Sequence, residues 1–479
     1  MARGKRWRRH GHDRGLYAPH LWSVWLVAPI WVAAAIALAV VIYLQLRAVA
    51  VPHAAPNGGP APRDPLDVIK TTITVAGFVG AVLVGVYGYR KQRLVEGDAR
   101  RADAEQLAQR YTTAADQLGH EKAAVRLAGV YAMARLADDW DDQRQVCIDV
   151  LCAYLRMPYE PDTTSVKHRE GEREVRYTIT RIIRDHLRDP SAPTTWCGRD
   201  LDFTNATFDG GDFDGAKFTG GAVYFTRAKF TGGKVYFTDA KFTGGKVYFT
   251  RAKFTGGKVY FTDAKFTGGQ VSFENAEFAD GKVSFDEADF TGGEISFGLA
   301  EFTGGTVTFN ETEFTGGTVS FDDVIIFPGG KVTFDRAEFT GGAVLFENAG
   351  FEGGTASFAE AKFTGGDISF TGAAFTGGTV SFHKAEYAGG DVSFVGAGFT
   401  GAAIYFSMAK FIGGDISFDG ANFAGGTVSF NEAGFAGGTV SFGGSKYTLG
   451  CSITWGPFKP PPAWTELQER ERPQNEPPP

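Results

Sequence analysis

Histidine and cysteine are the side chains whose spacing most often marks chemistry, as metal ligands, nucleophiles or proton carriers at neutral pH. Of the eight histidines, His10, His12, His20 and His53 flank apolar segments, His120, His168 and His186 lie in a helical region, and His383 stands alone among repeats. None has a partner at metal-binding or acid–base spacing, so each reads as a surface or packing residue. The four cysteines, Cys147, Cys152, Cys197 and Cys451, include no C-x2-C pair and are too few for a disulfide framework. They read as reduced structural thiols, Cys147 and Cys152 within an amphipathic helix. No G-x-S-x-G, P-loop, H-E-x-x-H, EF-hand or Rossmann fingerprint occurs, and the many Gly-Gly pairs do not precede helices. The expectation is no catalytic residue, no cofactor, no metal and no enzyme; the chain is read as a surface that binds.

The elements that would present such a surface separate by composition. The 64 Gly and 42 Phe of the 479 residues crowd into the distal half, and a net charge of −7 argues against general nucleic-acid binding. After a basic N-terminus (1–20), residues 21–46 carry no charge over a length that crosses a hydrocarbon core. This run exceeds a signal-peptide core, which argues against cleavage after Ala48-Val49-Ala50. A Pro-, Ala- and Gly-rich linker (47–70) leads to a second apolar run, 71–89, with Lys70 at its edge. Arg3, Lys5, Arg6, Arg8, Arg9 and Arg14 precede the first run, and Arg90, Lys91, Arg93, Arg100 and Arg101 follow the second. By the positive-inside rule both termini face the cytoplasm of a multi-pass inner (plasma) membrane protein. Ala76-x-x-x-Gly80 and Ala81-x-x-x-Gly85 suit close packing within the hairpin, with a homodimer face as the alternative. No acid or histidine lies mid-span, so transport is not expected.

Residues 90–190 turn to Ala, Leu, Arg, Asp and Glu with helical periodicity, a small α-helical adaptor with a break near Gly119 and a stop at Pro190. Val146, Val150 and Tyr154 with Cys147 and Leu151 form one apolar stripe, and Val175, Ile179, Ile182, Ile183 and Leu187 another. Arg126 and Arg135 lie on faces that also carry acids and read as solvated. Residues 110–159 resemble a segment that precedes pentapeptide repeats in a group of membrane-anchored bacterial proteins, a resemblance that carries no known activity.

From Leu201 the chain parses as LDFTN, ATFDG, GDFDG, AKFTG, five-residue units each centred on Phe. These units resemble the pentapeptide-repeat proteins, and the resemblance implies a right-handed quadrilateral parallel β-helix with four units per coil. After Gly220 two residues are inserted between alternate units and the period becomes 12, a variant of the family pattern. Ala228 with Phe230, and Val235 with Phe237, alternate so that both side chains point to one face, the interior. Stacked coils then set each Phe on its counterpart above and below. Between Phe321 and Phe327 the spacing stretches by one residue through Val324, Ile325 and Ile326, a bulge or corner. Asn205-Ala206-Thr207, a glycosylation sequon by pattern, reads as a corner of the first coil.

Core volume favours 24-residue, four-sided coils and a rod of ~50 Å; the alternative is a flattened 12-residue coil, in which Arg227 and Arg251 would pair with Asp239 and Asp263. Lysines and arginines dominate the first coils and acids the coils beyond Gln270, so the basic coils could meet anionic lipid headgroups or serve solubility alone. The solenoid is expected over 201–455, with Trp455 as a lid, followed by a Pro-rich disordered tail, 456–479. The functional expectation is a membrane-tethered scaffold binding a protein partner through the solenoid; the alternative is a DNA-mimic regulator of a type II topoisomerase, as the family resemblance implies.

Overall fold

The computed structural model describes residues 65–470 except Thr163, 166–168 and Leu449, together with the helical positions Ala33, Ile36, Ala37, Val40, Val41 and Leu44. The expected basic N-terminus, most of the first span (21–46), linker positions 47–64 and tail positions 471–479 lie outside the described residues. The chain divides into two units, Met1–Gln106 and Leu107–Pro479.

Helix α1 is Pro65–Leu118, 54 residues without interruption. It passes through the expected boundary at 89–90 and takes in residues 65–70, which were expected in the linker. The correction has a local cause: beyond the apolar stretch, 90–118 is rich in Arg, Ala, Leu, Glu and Gln, and nothing stops the helix before Gly119. Ile73, Val84 and Tyr87 are exposed on it. Among the described residues this is the one helix long and apolar enough to cross a membrane.

In the second unit, the end of α1 packs with α2 (Ala123–Asp139), α3 (Arg144–Arg156) and α4 (Glu172–Leu187). The α4 stripe is buried as expected, from Val175 to Leu187. The α3 stripe is rotated from the expected one: Val146 is exposed, and Cys147, Ile148, Leu151, Cys152 and Leu155 face the core. Arg126, expected to be solvated, is fully buried, because it lies one turn before Val130 and Met133 on the buried side of α2.

From Leu201 to Thr454 the chain winds as a parallel β-solenoid of about eleven turns, eleven strands stacking on its first face. The register decides coil length: Phe230 aligns with Phe254 and Phe254 with Phe278, so a regular coil has 24 residues. The 12-residue alternative is excluded. Four strand series make four faces, opened by Leu201–Asp202, Thr207–Phe208, Gly211–Asp212 and Lys217–Phe218. Each face carries one phenylalanine ladder. On the first, Phe225, Phe249, Phe273 and Phe297 stack at 4.7–4.8 Å with ring planes within 4°. The first and third ladders also meet edge to face, Phe225 against Phe237 at 5.9 Å and 85°, so their quadrupoles attract across the core.

Where the spacing stretches, Ile326 rather than Phe327 occupies the ladder, aligned with Phe302 and Phe351. The smaller ring-less side chain is accompanied by Val324 where neighbouring coils place Ala300 and Ala349, which restores volume. The extra residue is absorbed at the following corner, where Gly330 donates to the carbonyl of Phe327.

Two kinds of corner alternate. At the T-G-G corners backbone approaches backbone; a Cβ on Gly378, at φ +78°, would stand 2.1 Å from the Gly354 carbonyl oxygen. The other corners put a residue in the left-handed region without such crowding, and 16 non-glycine residues occupy it, among them Leu299 at φ 58°. In later coils the Leu299 position is Gly372, Gly396 and Gly420. Leu299 is 57% exposed, so it offsets its strain with little burial. Leu299→Gly is therefore expected to stabilise the solenoid by about 1 kcal/mol, read as a higher urea midpoint; a lower midpoint would mean the corner is not strained.

Tyr387 replaces Phe in the fourth ladder, stacked on Phe363 and Phe411, and its buried hydroxyl has no partner. Burial pushes its pKa well above the ordinary tyrosine value. Tyr387→Phe should raise stability by about 1–3 kcal/mol, the cost of the unsatisfied hydroxyl, as judged by thermal denaturation.

Both ends of the core carry caps, complete at the start and partial at the far end, where Phe435 of the fourth ladder is 46% exposed. At the start, Arg176 of α4 donates to the carbonyls of Thr207 (3.1 Å) and Leu155, Tyr177 donates to the Asp209 carbonyl at 3.1 Å, and Trp196 is fully buried. At the far end Trp455 stands edge-on to Phe442 at 5.0 Å, and Phe458 edge-on to Phe430 at 5.1 Å. The tail expected to be disordered contains helix α5 (Pro462–Arg470), whose Trp464 packs on Tyr447 at 5.6 Å. Pro462 suits a first helical position, and Trp464 gives the helix something to bury.

Candidate interaction surface

Residues that alternate with the ladder point outward, so the surface of each face repeats every coil. In the first coils the outward register stacks like on like. Lys217, Lys241 and Lys265 align on the fourth face, Lys229 and Lys253 on the second, and Lys234, Lys258 and Lys282 on the third. The arginine–aspartate pairing expected of a 12-residue coil is absent from this register: Arg227 and Arg251 occupy equivalent corners on one edge, Asp239 and Asp263 on another.

Further along, the same geometry stacks opposite charges. Lys253 meets Glu277 and Lys265 meets Asp289, each at 2.5 Å, and Arg336–Glu311 and Lys362–Glu338 follow at 2.5 and 2.7 Å. Lys384–Glu360 and Lys410–Glu386 are looser, both at 3.8 Å. Such exposed pairs add little stability, about 0–1 kcal/mol each, but they offset part of the acidic charge of these coils. An acidic row, Asp367, Asp391 and Asp415, lies on the first face, where Asp391 and Asp415 each donate a backbone N–H to the preceding carboxylate.

The chemistry-bearing residues do not converge. His186 contacts Asp138 at 3.0 Å and stacks on Trp196 at 4.3 Å, a packing role in the cap. His120 accepts the Lys122 backbone N–H, and His383 stays in the repeats. His10, His12, His20, His53 and His168 lie outside the described residues. Among the described residues no three His, Cys, Asp or Glu side chains are placed to hold a metal. A groove between α4 and the first coils is lined by Arg173, Tyr177, Arg181, Asp212, Asp214 and Tyr236. Its arginines are already engaged, Arg173 with Asp209 at 3.0 Å and Arg181 with Glu174 at 2.9 Å.

All four cysteines are unpaired, three of them buried. Burial pushes the Cys147 and Cys451 thiols up to about 11 and Cys152 up to about 12. Such thiols stay protonated in the fold while unfolded thiols ionise near pH 8.5. The unfolded state therefore holds fewer protons above that pH, and stability falls as pH rises from about 8.5 towards 12. Urea unfolding at pH 7 and 10 should show a lower midpoint at pH 10, and Cys-to-Ala variants a smaller drop.

The three buried arginines, Arg126, Arg144 and Arg176, were not legible as structural residues from charge patterning. Their signal was positional: each falls at helical spacing from buried apolar residues, Arg126 with Val130 and Met133, Arg144 with Ile148 and Leu151, Arg176 with Ile179 and Ile183.

No curated protein matches the chain. A family model described as pentapeptide repeats matches it with nine copies, at residues 203–253. The matched stretch runs through the opening coils of the solenoid, where the five-residue units supply one face each, and over these residues the chain is similar to pentapeptide-repeat proteins, in keeping with its parallel β-solenoid.

Proposed function

We propose that this protein is a membrane-tethered scaffold whose solenoid presents its lateral faces to a protein partner. One observation carries the reading: both ends of the solenoid core carry caps, α4 and Trp196 at the start and Trp455, Phe458 and α5 at the end, where Phe435 of the last coil stays half-exposed. The caps obstruct stacking onto a further core, and the sides are the larger surface a partner can reach. The apolar part of α1, with exposed Ile73, Val84 and Tyr87, supports a tether. The acids are divided among short rows on separate faces, such as Asp367, Asp391 and Asp415 on the first, and elsewhere pair with bases, rather than forming one strip along the whole rod. This favours a plain scaffold over a mimic of duplex DNA regulating a topoisomerase.

The test removes sides and keeps ends. Deleting residues 251–395 joins Thr250 to Gly396, which occupies the same corner position as Arg251, so coil register and both caps persist. Crosslinking in native membranes, followed by mass spectrometry, should recover specific partners with the intact chain and lose them with the shortened one. Retention of the same partners would show that the faces of coils 251–395 are not the binding surface, and would overturn the reading for that stretch of the solenoid.

A further inference from the structure

Across the opening coils, the first face and its edge with the second hold five outward bases: Lys246 at the start of a first-face strand, Arg227 and Arg251 at the edge, and Lys229 and Lys253 just beyond it. All five are exposed, and among the described residues only Lys253 is ion-paired, to Glu277. Apart from Lys253, which stacks on Glu277 in the next coil, the aligned lysines meet a base or a neutral neighbour: Lys229 aligns with Thr207 and Lys253, and Lys246 with Ala222 and Gln270. Like charges at adjacent-strand spacing repel. Later coils offset some opposite charges one coil apart and elsewhere stack acid on acid, as Glu277 on Glu301 and Glu313 on Glu338, so uncompensated base stacking belongs to the opening coils. The opening coils have the same geometry available and leave the charge unbalanced.

Tyr224 and Tyr248 border these bases on the first face, stacked at 5.4 Å and 14°. Tyrosines beside lysines and arginines are the composition of a membrane interface, where the ring enters the headgroup layer and the bases meet phosphates. The ring stack also weighs against single-stranded nucleic acid, since the facing sides of the two rings are already occupied by each other and leave no gap for a base between them. The acidic net charge of the chain points the same way.

We infer that the surface formed by Lys246 on the first face and by Arg227, Lys229, Arg251 and Lys253 at its edge with the second, with Tyr224 and Tyr248 among them, binds the anionic phospholipid headgroups of a bilayer. The inference rests on the membrane-tethered reading and deepens it: the solenoid would lie against the surface by its opening coils while the acid-rich later coils remain available to a partner. A Lys or Arg at an anionic surface contributes about fivefold in affinity.

The test is amine footprinting of the full chain in nanodiscs of neutral phosphatidylcholine, or of the same lipid mixed with phosphatidylglycerol. Labelling of Lys229, Lys246 and Lys253 should fall about fivefold in the anionic discs and recover at about 1 M salt, where the Debye length is near 3 Å. Lys362 and Lys410 should label equally in both. In the Arg227→Glu, Arg251→Glu double variant, Lys246 should lose its protection while Lys362 is unmoved. Equal labelling of Lys229, Lys246 and Lys253 in both discs overturns the inference, as does protection by a single-stranded oligonucleotide in neutral discs without protection by anionic lipid. Incorporation into neutral discs tests the tether separately. A chain that fails to incorporate sinks the tether reading, and salt-sensitive cosedimentation with phosphatidylglycerol vesicles, present or absent, then decides the headgroup site.

Discussion

Phe297→Ala is expected to lower stability by about 3–5 kcal/mol, because the lost ring leaves a cavity as well as a transfer deficit. Phe297 is fully buried between Phe273 at 4.8 Å and Phe321 at 4.6 Å, and meets Phe285 and Phe309 edge to face at 6.1 and 6.0 Å. The surrounding rings are held by strand pairing above and below, so the site cannot collapse to fill the gap. A solenoid distributes stability through neighbouring coils, so the loss should centre on the coils around 297 and weaken cooperativity there. Urea unfolding followed by circular dichroism should show a lower midpoint or a new early phase, with hydrogen exchange accelerated near Phe273 and Phe321. Phe297→Leu should cost less, since much of the volume is kept. A loss below about 1 kcal/mol for the alanine variant would mean that the backbone ladder, not the aromatic stacks, holds the rod together.

The solenoid was legible because its physics is periodic. Alternation of Ala228 with Phe230 and of Val235 with Phe237 declares an interior face whatever the coil length, and the register places all four side chains inside. Coil length itself was ambiguous from charge: Arg227 and Asp239 suggested a 12-residue pairing, and only the volume of four rings argued for 24. Volume was the better guide because a buried Phe is worth several times an exposed ion pair. The Ile326 position shows the limit of pattern reading, since Phe327 fits the motif yet Ile326 fits the ladder. The helical adaptor was less legible. Its stripes lack a strict period, so Val146 was placed inside and Arg126 outside, the reverse of what packing chose. The tail was misjudged for a related reason: proline content spoke for disorder, but Trp464 had a partner in Tyr447 that only the end of the solenoid could reveal.

Arg126→Ala should unseat the helical cap, at a cost of about 3–5 kcal/mol, the usual price of stranding one member of a buried ion pair. Arg126 is fully buried, and its Nη2 lies 3.2 Å from Glu172 Oε2. It also donates to the carbonyls of His120 at 3.2 Å, Glu170 at 3.4 Å and Glu121. Glu172 opens α4 and accepts a second bond, from Tyr154 Oη of α3 at 3.0 Å, so one carboxylate joins α2, α3 and α4. Without Arg126 that carboxylate stays buried with a hydroxyl alone. The cap should therefore loosen as a unit, exposing Trp196 and the Arg176–Thr207 contact to solvent while the later coils persist. Limited proteolysis between α2 and α4, with Trp196 fluorescence shifting red before the β signal changes, is the expected signature. The double variant Arg126→Met, Glu172→Gln keeps the Tyr154 bond without a stranded charge, and should recover most of the loss. If the double variant is no more stable than Arg126→Ala, the arginine acts through its carbonyl contacts and not through Glu172.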